Sequence, residues 1–392
     1  MTQPFHFEQK ALPARLSNLA WMLIAAGGVL IVAAWLTDGT RAAFNHVVIF
    51  MMLASVGVGS LFLISLEYVA GAVWSTPIRR VSEILAFLIP VTAVVAVPLF
   101  LSMHDLFHWT HTEVVEADAI LKGKSPYLNE TFFGIRFATT FGLWFLFYHL
   151  ITRNSRMQDT TGNQLLTKRN ITLSALFIPL FAFTVSFLAI DWIMSLEPHW
   201  FSTIFGVYYF SGTMLAALAA GTLAIILLHE NGHFGTLLKR DHFYSLGALM
   251  FAFVNFWAYI AFSQYLLIWY ANLPEETFWM MRRWEGGWEF LSLALILVHF
   301  VIPYIGLLAQ EAKMNPRRLK IMAVWILFAH YVDLYWLIMP THQESFIFGW
   351  YELGFPLLAI GIVLLFFVLR YRKTSLIPIG DPKLKRGLDF RL

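Results

Sequence analysis

The sequence predicts an all-α polytopic membrane protein with ten transmembrane helices. Of its 392 residues, 59% are hydrophobic and only 13% are charged, whereas soluble domains average about 25% charged residues. A single globular core cannot hide that much apolar surface. Apolar runs of spanning length, about 20 residues, recur along the whole chain at about 18–36, 46–72, 82–103, 131–151, 171–194, 203–228, 243–270, 288–309, 319–340 and 350–370.

The distribution of positive charge predicts the orientation of these spans. With the N-terminus inside, 21 of the 27 Lys and Arg residues fall in the two termini and in the loops of the same side. Cytoplasmic segments of membrane proteins carry such an excess, so both termini are expected in the cytoplasm. The stretch before the first span is too polar for a signal-peptide core. The basic segment after Arg370 is expected to be a polar tail on the cytoplasmic surface.

Several classes of protein are excluded by what the sequence lacks. The chain has no cysteine, so it carries no disulfide, no thiolate zinc site and no Cys-ligated iron–sulfur cluster. No phosphate-binding loop, dinucleotide fingerprint or Ser/His/Asp signature occurs. Nothing in the sequence indicates nucleic-acid binding or a soluble enzyme.

Spans two to five and spans six to nine share one order of features, which predicts an internal repeat. Each set opens with a helix rich in small residues, at 54–60 and 216–222, and small residues let helices approach closely in lipid. Each set ends in a helix with an Asp seven residues before a Pro. The alternative is chance similarity between apolar segments. We predict two four-helix bundles with one flanking helix at each end, divided at 1–45, 46–202, 203–341 and 342–392.

The two aspartates are Asp191, before Pro198, and Asp333, before Pro340. Both are candidates for a proton pathway, and Asp191 is expected to hold in the first bundle the place that Asp333 holds in the second. A carboxylate at the centre of a membrane helix costs about 2.5–3.5 kcal/mol on insertion scales, so it usually faces a protein interior and has a function there. The prolines are expected to mark the outer ends of their helices. Seven residues at about 1.5 Å each would place both carboxylates roughly 10 Å below those ends.

Two histidines are predicted to lie beside Asp333. His299 and His330 each fall about halfway along antiparallel neighbouring spans, and His330 precedes Asp333 by three residues on the same helix face. The sequence favours a proton relay, since His titrates near neutrality. A structural hydrogen-bond network and haem ligation are the alternatives.

Two further residues are candidates for the inner part of a proton pathway. Glu67 lies near the inner end of span two and His149 near the inner end of span four. Glu67 could equally extend its carboxylate to the membrane surface or pair with Arg79 or Arg80.

The longer outer loops contain histidines and tryptophans. His104, His108 and His111 have helical spacing that could bind a metal ion, but no fourth ligand is evident. An amphipathic interfacial helix or a partner surface is therefore favoured, and no metal site is predicted. The second loop contains three tryptophans that fit an interfacial belt and a docking surface, Trp279, Trp284 and Trp288.

Two motifs carry a resemblance to a known family. DWIMSLEPHWFSTIFGVYYFSG at 191–212 and SLEYVAGAVWSTPIRR at 65–80 resemble NrfD-like proteins, the membrane subunits of polysulfide-reductase type. More specifically, the chain is similar to the second such subunit of bacterial alternative complex III, over nearly its whole length. That family's fold is two four-helix bundles with flanking helices.

The resemblance implies a quinol:electron-acceptor (cytochrome c) oxidoreductase in a bacterial inner membrane. It implies a sister NrfD-like subunit, an iron–sulfur protein and multihaem cytochrome c subunits as partners, with menaquinol or ubiquinol as substrate. Haem c and iron–sulfur clusters would lie in the partners and no cofactor in this chain, which would not be catalytic alone. The family's buried acids and histidines correspond approximately to Asp191, Asp333, His299 and His330. A proton-coupled secondary transporter and a haem b anchor are the alternatives.

Overall fold

A computed structural model describes residues 7–392, which are all-α without a strand. The first six residues of the predicted segment 1–45 lie outside this range. Nine helices within it are long and apolar enough to cross a membrane. The chain is therefore a multi-pass helical membrane protein.

We number ten long helical segments in chain order. Their bounds are Ala14–Thr37 (α1), Gly39–Ala70 (α2), Thr76–Leu101 (α3), Glu130–Thr161 (α4), Leu165–Trp192 (α5), Phe205–Glu230 (α6), Arg240–Ala271 (α7), Trp288–Leu308 (α8), Pro316–His342 (α9) and Tyr351–Tyr371 (α10). Short helices between and after them are Met103–Leu106, His108–Thr110, Thr112–Ala117, Ala119–Lys124, Met194–Leu196, Pro274–Met281, Arg282–Trp284, Gln310–Met314 and Leu384–Leu388.

The helix α4 is the one long segment that is not among the nine. It has 32 residues, which is more than enough length to span a bilayer. Arg136 and His149 lower its hydropathy, as does a polar final segment at 152–161.

Two long segments are interrupted. α3 consists of a 3-10 turn followed by Arg79–Leu85, Leu88–Val95 and Val97–Leu101. α8 contains a π-helical turn, Ile296–Val301, between two α-helical pieces. Prolines in both segments remove backbone donors and so favour such irregularity. A π-turn inside a membrane helix is frequently found at a functional site.

The centre of the protein is the crossing of α2 and α6. A side chain at Gly59 would meet the carbonyl of Thr213 at 2.8 Å, and one at Gly57 would meet the backbone of α3 at 3.1 Å. The prediction that these small residues serve helix packing is confirmed. Helices α2 to α5 each contact the next and α5 returns to α2, and α6 to α9 repeat this arrangement.

The flanking helices α1 and α10 pack against each other along their length. Glycines make this close approach possible. A side chain at Gly27 would lie 2.6 Å from the backbone of Leu358, and one at Gly361 would lie 2.8 Å from Ile24. The first and last predicted spans thus form one pair beside the central helices.

The molecule has two ends, which we name by their contents. The loop side carries the segments 104–130 and 271–287, and the terminus side carries the start of α1 and the end of α10. On the terminus side the C-terminal segment folds back onto the helices. Leu376 and Ile377 are fully buried, and Asp381 pairs with Arg79 at 2.6 Å. The expectation of a polar surface tail after Arg370 is therefore wrong, because this segment contributes apolar side chains and a carboxylate to the interior.

The prolines do not end their helices as expected. α5 ends at Trp192, well before Pro198, while α9 continues through Pro340 to His342. Asp191 is consequently the next-to-last residue of its helix, whereas Asp333 lies inside α9. The two aspartates do not occupy equivalent depths in their helices.

Candidate functional site

Asp333 is the centre of a buried polar cluster on the loop-side half of α9. Its side chain is almost fully buried. The Tyr208 hydroxyl donates to Oδ1 at 2.6 Å and the Trp257 indole N–H donates to Oδ2 at 3.1 Å. Both donors are neutral, and no Lys or Arg within residues 7–392 forms an ion pair with this carboxylate. Asp333 is therefore held by hydrogen bonds without a permanent countercharge.

His299 lies in the π-helical turn of α8 and faces Asp333. Its Nε2 is 4.0 Å from Asp333 Oδ2, which is too long for a hydrogen bond. Both ring nitrogens are buried without a hydrogen-bond partner among the described residues. The Trp257 ring stacks on the imidazole with centroids 3.7 Å apart. Unsatisfied buried polar atoms are uncommon and are often explained by function or by water.

His330 lies one turn before Asp333 on α9 and connects the cluster to α2. Its Nε2 is 3.1 Å from the Ser55 hydroxyl, which lies 3.0 Å from the Tyr209 hydroxyl. Tyr209 in turn donates to the carbonyl of Met51. The other ring nitrogen, Nδ1, has no partner in the described part of the chain. Imidazole and hydroxyl groups thus form a hydrogen-bonded path from the second set of helices to the centre of the protein.

The structure brings His299, His330 and Asp333 together. One ligand-type atom from each lies within 4.8 Å of the others. A carboxylate and two imidazoles at this separation can exchange a proton after a small side-chain rotation or through one water molecule. The same three groups could hold a divalent metal ion by their chemistry, although both carboxylate oxygens already accept hydrogen bonds.

Neighbouring helices pack closely against the two imidazoles. A side chain at Gly212 would meet the His330 ring at 2.8 Å, so the backbone of α6 lies directly against this imidazole. Trp257 covers the face of His299.

Asp191 lies apart from this cluster and has a guanidinium partner. Arg136 Nε is 2.9 Å from Oδ2 and Nη2 is 2.9 Å from Oδ1. The Tyr127 hydroxyl donates to the same carboxylate at 3.0 Å, and its ring covers the guanidinium at 3.8 Å. Bidentate pairs of this kind are strong and geometrically specific. The arrangement is that of a structural ion pair between α4 and α5.

Glu67 belongs to a second buried network, on the terminus side. Of the alternatives considered from the sequence, the structure shows pairing with Arg79, at 2.9 Å. The network joins α2, α3, α4 and the C-terminal segment through six charged side chains, Glu67, Arg79, Arg80, Glu83, Asp159 and Asp381. Four are carboxylates and two are guanidinium groups, so carboxylates are in excess.

His149, the other predicted inner residue, is not part of this network. Its side chain is exposed on the outside of α4, where its ring centroid lies 6.2 Å from that of Phe145. The structure therefore gives it no buried polar partner within the described range.

The histidines of the first long loop do not lie on one helix. Backbone at Phe107 and His111 is extended, which separates short helices. His111 Nε2 lies 2.9 Å from the carbonyl of His104, and His108 is exposed. The helical spacing assumed from the sequence, and with it the amphipathic interfacial helix, is wrong here.

The tryptophans of the second long loop are mostly interior. Trp279 and Trp288 are buried, and Trp284 is 41% exposed. Trp279 stacks on Trp200 with centroids 4.3 Å apart. An aromatic belt formed by all three is therefore wrong, because two of them pack into the core.

Sequence reasoning missed the donors that complete both sites. Tyr208, Trp257 and Ser55 contact the histidine–aspartate cluster from other helices, and Arg136 of α4 pairs with Asp191 of α5. The available signal was a tyrosine or tryptophan within an apolar span, since a buried O–H or N–H of this kind usually finds a partner. That signal does not identify the partner.

In comparisons with known proteins, no family model and no curated sequence matches this chain.

Proposed function

We propose that the chain is an integral subunit of a quinol-oxidising respiratory complex of the alternative complex III type, in which the His299–His330–Asp333 cluster conducts protons. Each of the two motifs that carry the family resemblance contributes residues to one of the two buried polar clusters. The motif at 191–212 contributes Tyr208, which donates to Asp333. The motif at 65–80 contributes Glu67 and its partner Arg79.

One observation carries the proton role. Asp333 is fully enclosed yet has no Lys or Arg partner in residues 7–392, while two imidazoles with unsatisfied nitrogens stand beside it. A purely structural carboxylate gains most from a fixed cation, because an isolated buried charge is costly. A group that must take up and release a proton instead requires an environment in which both protonation states are possible.

The proposed topology has ten spans with both termini in the cytoplasm of a bacterial inner membrane. α4 would be the tenth span, since Arg136, the arginine near its loop-side end, is neutralised by Asp191 within the protein. Snorkelling and pairing are the usual ways by which a membrane helix accommodates charge. A reporter fused to the C-terminus should be active only in the cytoplasm, and periplasmic activity would exclude this orientation.

The proposed partners are a sister NrfD-like subunit, an iron–sulfur protein and multihaem cytochrome c subunits. Menaquinol or ubiquinol would be the substrate of the complex, and haem c and iron–sulfur clusters would lie in the partners. The segments 104–130 and 271–287 on the loop side would dock the redox subunits. The chain alone would not be catalytic. On this assignment Asp333 would accept protons released by quinol oxidation on the loop side.

A proton-coupled secondary transporter is the second candidate. The interruptions in α3 and α8 favour it, because transporters place irregular helices at their binding sites. The π-turn of α8 contains His299 itself. Interrupted helices at corresponding positions of the two predicted bundles would be expected in a transporter, but α3 is the second helix of the first bundle and α8 is the third helix of the second.

Isolation of the native assembly distinguishes the respiratory subunit from the transporter. The full chain, tagged at its C-terminus, should copurify with an iron–sulfur protein and c-type cytochromes, and the assembly should show a c-type haem spectrum. A chain that purifies without redox subunits and catalyses proton-dependent solute uptake would overturn the respiratory assignment. Metal analysis and the Soret region of the separated chain test the prediction that it holds no haem or metal.

A further inference from the structure

A cavity of about 190 Å³ opens on the loop side between the start of α6 and the end of α7. Its apolar lining includes Phe201 and Leu267, which are 51% and 61% exposed. Its polar lining is Ser202, Thr203, Gln264 and Glu276. The cavity thus combines an apolar mouth with a polar wall.

Gln264 is the polar group that lacks a partner. It is 2% exposed, and its Oε1 makes no hydrogen bond within the described residues. A buried amide oxygen without a partner is costly, by about 1–3 kcal/mol in proteins, and this oxygen is enclosed by the protein, so a ligand in the cavity reaches it only if the amide turns. A half-turn about the last side-chain bond exchanges the amide oxygen and nitrogen, so Gln264 can present its acceptor to a ligand.

The charged residues that line the cavity indicate which head groups it can bind. Glu276 adds a carboxylate, and no Lys or Arg lines the cavity. An anionic head group would meet repulsion, whereas a hydroxyl or ammonium group could donate to Gln264 and Glu276. The exposed Phe201 and Leu267 side chains offer contact to an apolar tail at the membrane surface.

The cavity lies directly above the proton cluster along two helices. Gln264 is seven residues, or about 10 Å, from Trp257 on the buried stripe of α7. Ile204, which also lines the cavity, is one turn from Tyr208. Trp257 and Tyr208 are the two donors to Asp333. A polar head in the cavity would therefore lie within two helical turns of the Asp333 donors.

We propose that this cavity binds the head group of an amphipathic molecule that donates hydrogen bonds, with the Gln264 side-chain amide as the principal acceptor. Two membrane components have this chemistry, a hydroquinone with its two hydroxyl groups and an ethanolamine phospholipid with its ammonium group. Binding requires no turnover and can be measured independently of the proposed respiratory function.

The test compares matched probes on the full chain in phosphatidylcholine nanodiscs, with bound molecules counted by native mass spectrometry. Decylhydroquinone should bind about tenfold more tightly than its dimethyl ether, which has lost both donors but keeps the ring and tail. Phosphatidylethanolamine should be retained over phosphatidylcholine if the lipid is the natural occupant. Either preference supports the proposal and identifies the source of the head group.

The variant Gln264→Met keeps the side-chain volume and removes the amide, so it should abolish whichever preference is seen. Asn255→Leu is the matched control, because Asn255 lies on the same helix and donates only to its own backbone at Phe251. Absence of both preferences, or preferences that survive Gln264→Met, would overturn the proposal. Because Asp333→Asn should leave binding intact, loss of proton transfer and loss of ligand binding are distinguishable.

Discussion

Asp191 and Asp333 share one sequence pattern and have opposite surroundings. Asp191 stands at the end of α5 in a bidentate pair with Arg136. Asp333 stands within α9 among the neutral donors Tyr208 and Trp257, with His299 at 4.0 Å. Both carboxylates are almost fully buried. The comparison shows that the partner, rather than the burial or the local sequence, decides what a membrane carboxylate can do.

The arginines near these two aspartates also differ in what they bind. Arg136 binds a carboxylate, whereas the fully buried Arg283 binds backbone carbonyls of α9, at 3.2 Å from Trp336 and 2.7 Å from Leu337. Pro340 has no N–H, so it leaves the carbonyl four residues earlier, that of Trp336, without its helical donor. Arg283 replaces that donor. Near Asp333, the arginine thus supplies a hydrogen bond that α9 lacks, and Asp333 has no cationic partner among the described residues.

The largest effect on folding is expected from breaking the Asp191 pair. Arg136→Leu leaves a buried carboxylate without its cation and should lower the free energy of unfolding by about 3–5 kcal/mol. Denaturant titration of the full chain in micelles measures this free energy of unfolding. The double variant Arg136→Leu with Asp191→Asn should recover most of the loss. A double variant as unstable as the single one would show that the guanidinium acts by packing on Tyr127 instead.

A smaller effect is expected at Arg283. Arg283→Gln should lower the free energy of unfolding by about 1–3 kcal/mol, because the carbonyls of α9 lose a charged donor. In a Pro340→Ala background the loss should be smaller, since the restored N–H can bond to Trp336. The two changes form a double-mutant cycle measured by the same titration. Additive losses would contradict the assignment of Arg283 to the proline-freed carbonyl.

The smallest effect is expected at an exposed contact between the loops, where His199 Nε2 lies 2.6 Å from Asp118 Oδ2. Hydrogen bonding from His199 lowers the pKa of Asp118 below its usual value of 3.8. A lowered folded-state pKa means that the contact stabilises at higher pH and is lost as pH falls through that lowered value.

Spin labels on cysteines placed at Ile120 and Phe201 of this cysteine-free chain measure the separation of the two loops. The distance should be constant at neutral pH and broaden only below about pH 4, near the ordinary carboxyl pKa. Asp118→Asn should broaden it at neutral pH as well. A transition well above pH 4 would show that a group other than Asp118 controls the contact.

The helical class could be predicted from the sequence because it depends on composition and on run length. His330 and Asp333 could be placed together because three residues of one helix separate them. His299 followed from equal depth on an antiparallel neighbour. These inferences use spacing within one helix or between two helices that follow each other in the chain.

The rest depends on contacts between distant segments. Arg136 is 55 positions from Asp191, and Asp381 reaches Arg79 across 302 positions. No spacing rule connects such pairs. The burial of Trp288 and the packing of the C-terminal segment follow from which surfaces meet, which a hydrophobic pattern alone does not specify. The π-turn that contains His299 ends two residues before Pro303, but a proline in the sequence does not by itself specify a π-turn.

Proton release coupled to quinol oxidation tests the central claim most directly. The native assembly, reconstituted in liposomes, is compared with Asp333→Asn, which keeps the shape and removes titration, and with His330→Ala. Asp191→Asn, which removes the other buried carboxylate and lies apart from the cluster, serves as the matched control. We expect Asp333→Asn and His330→Ala to assemble normally and lose turnover or proton release, and Asp191→Asn, once assembled, to keep both. Wild-type turnover and proton stoichiometry in Asp333→Asn and His330→Ala would show that the cluster only holds the helices together.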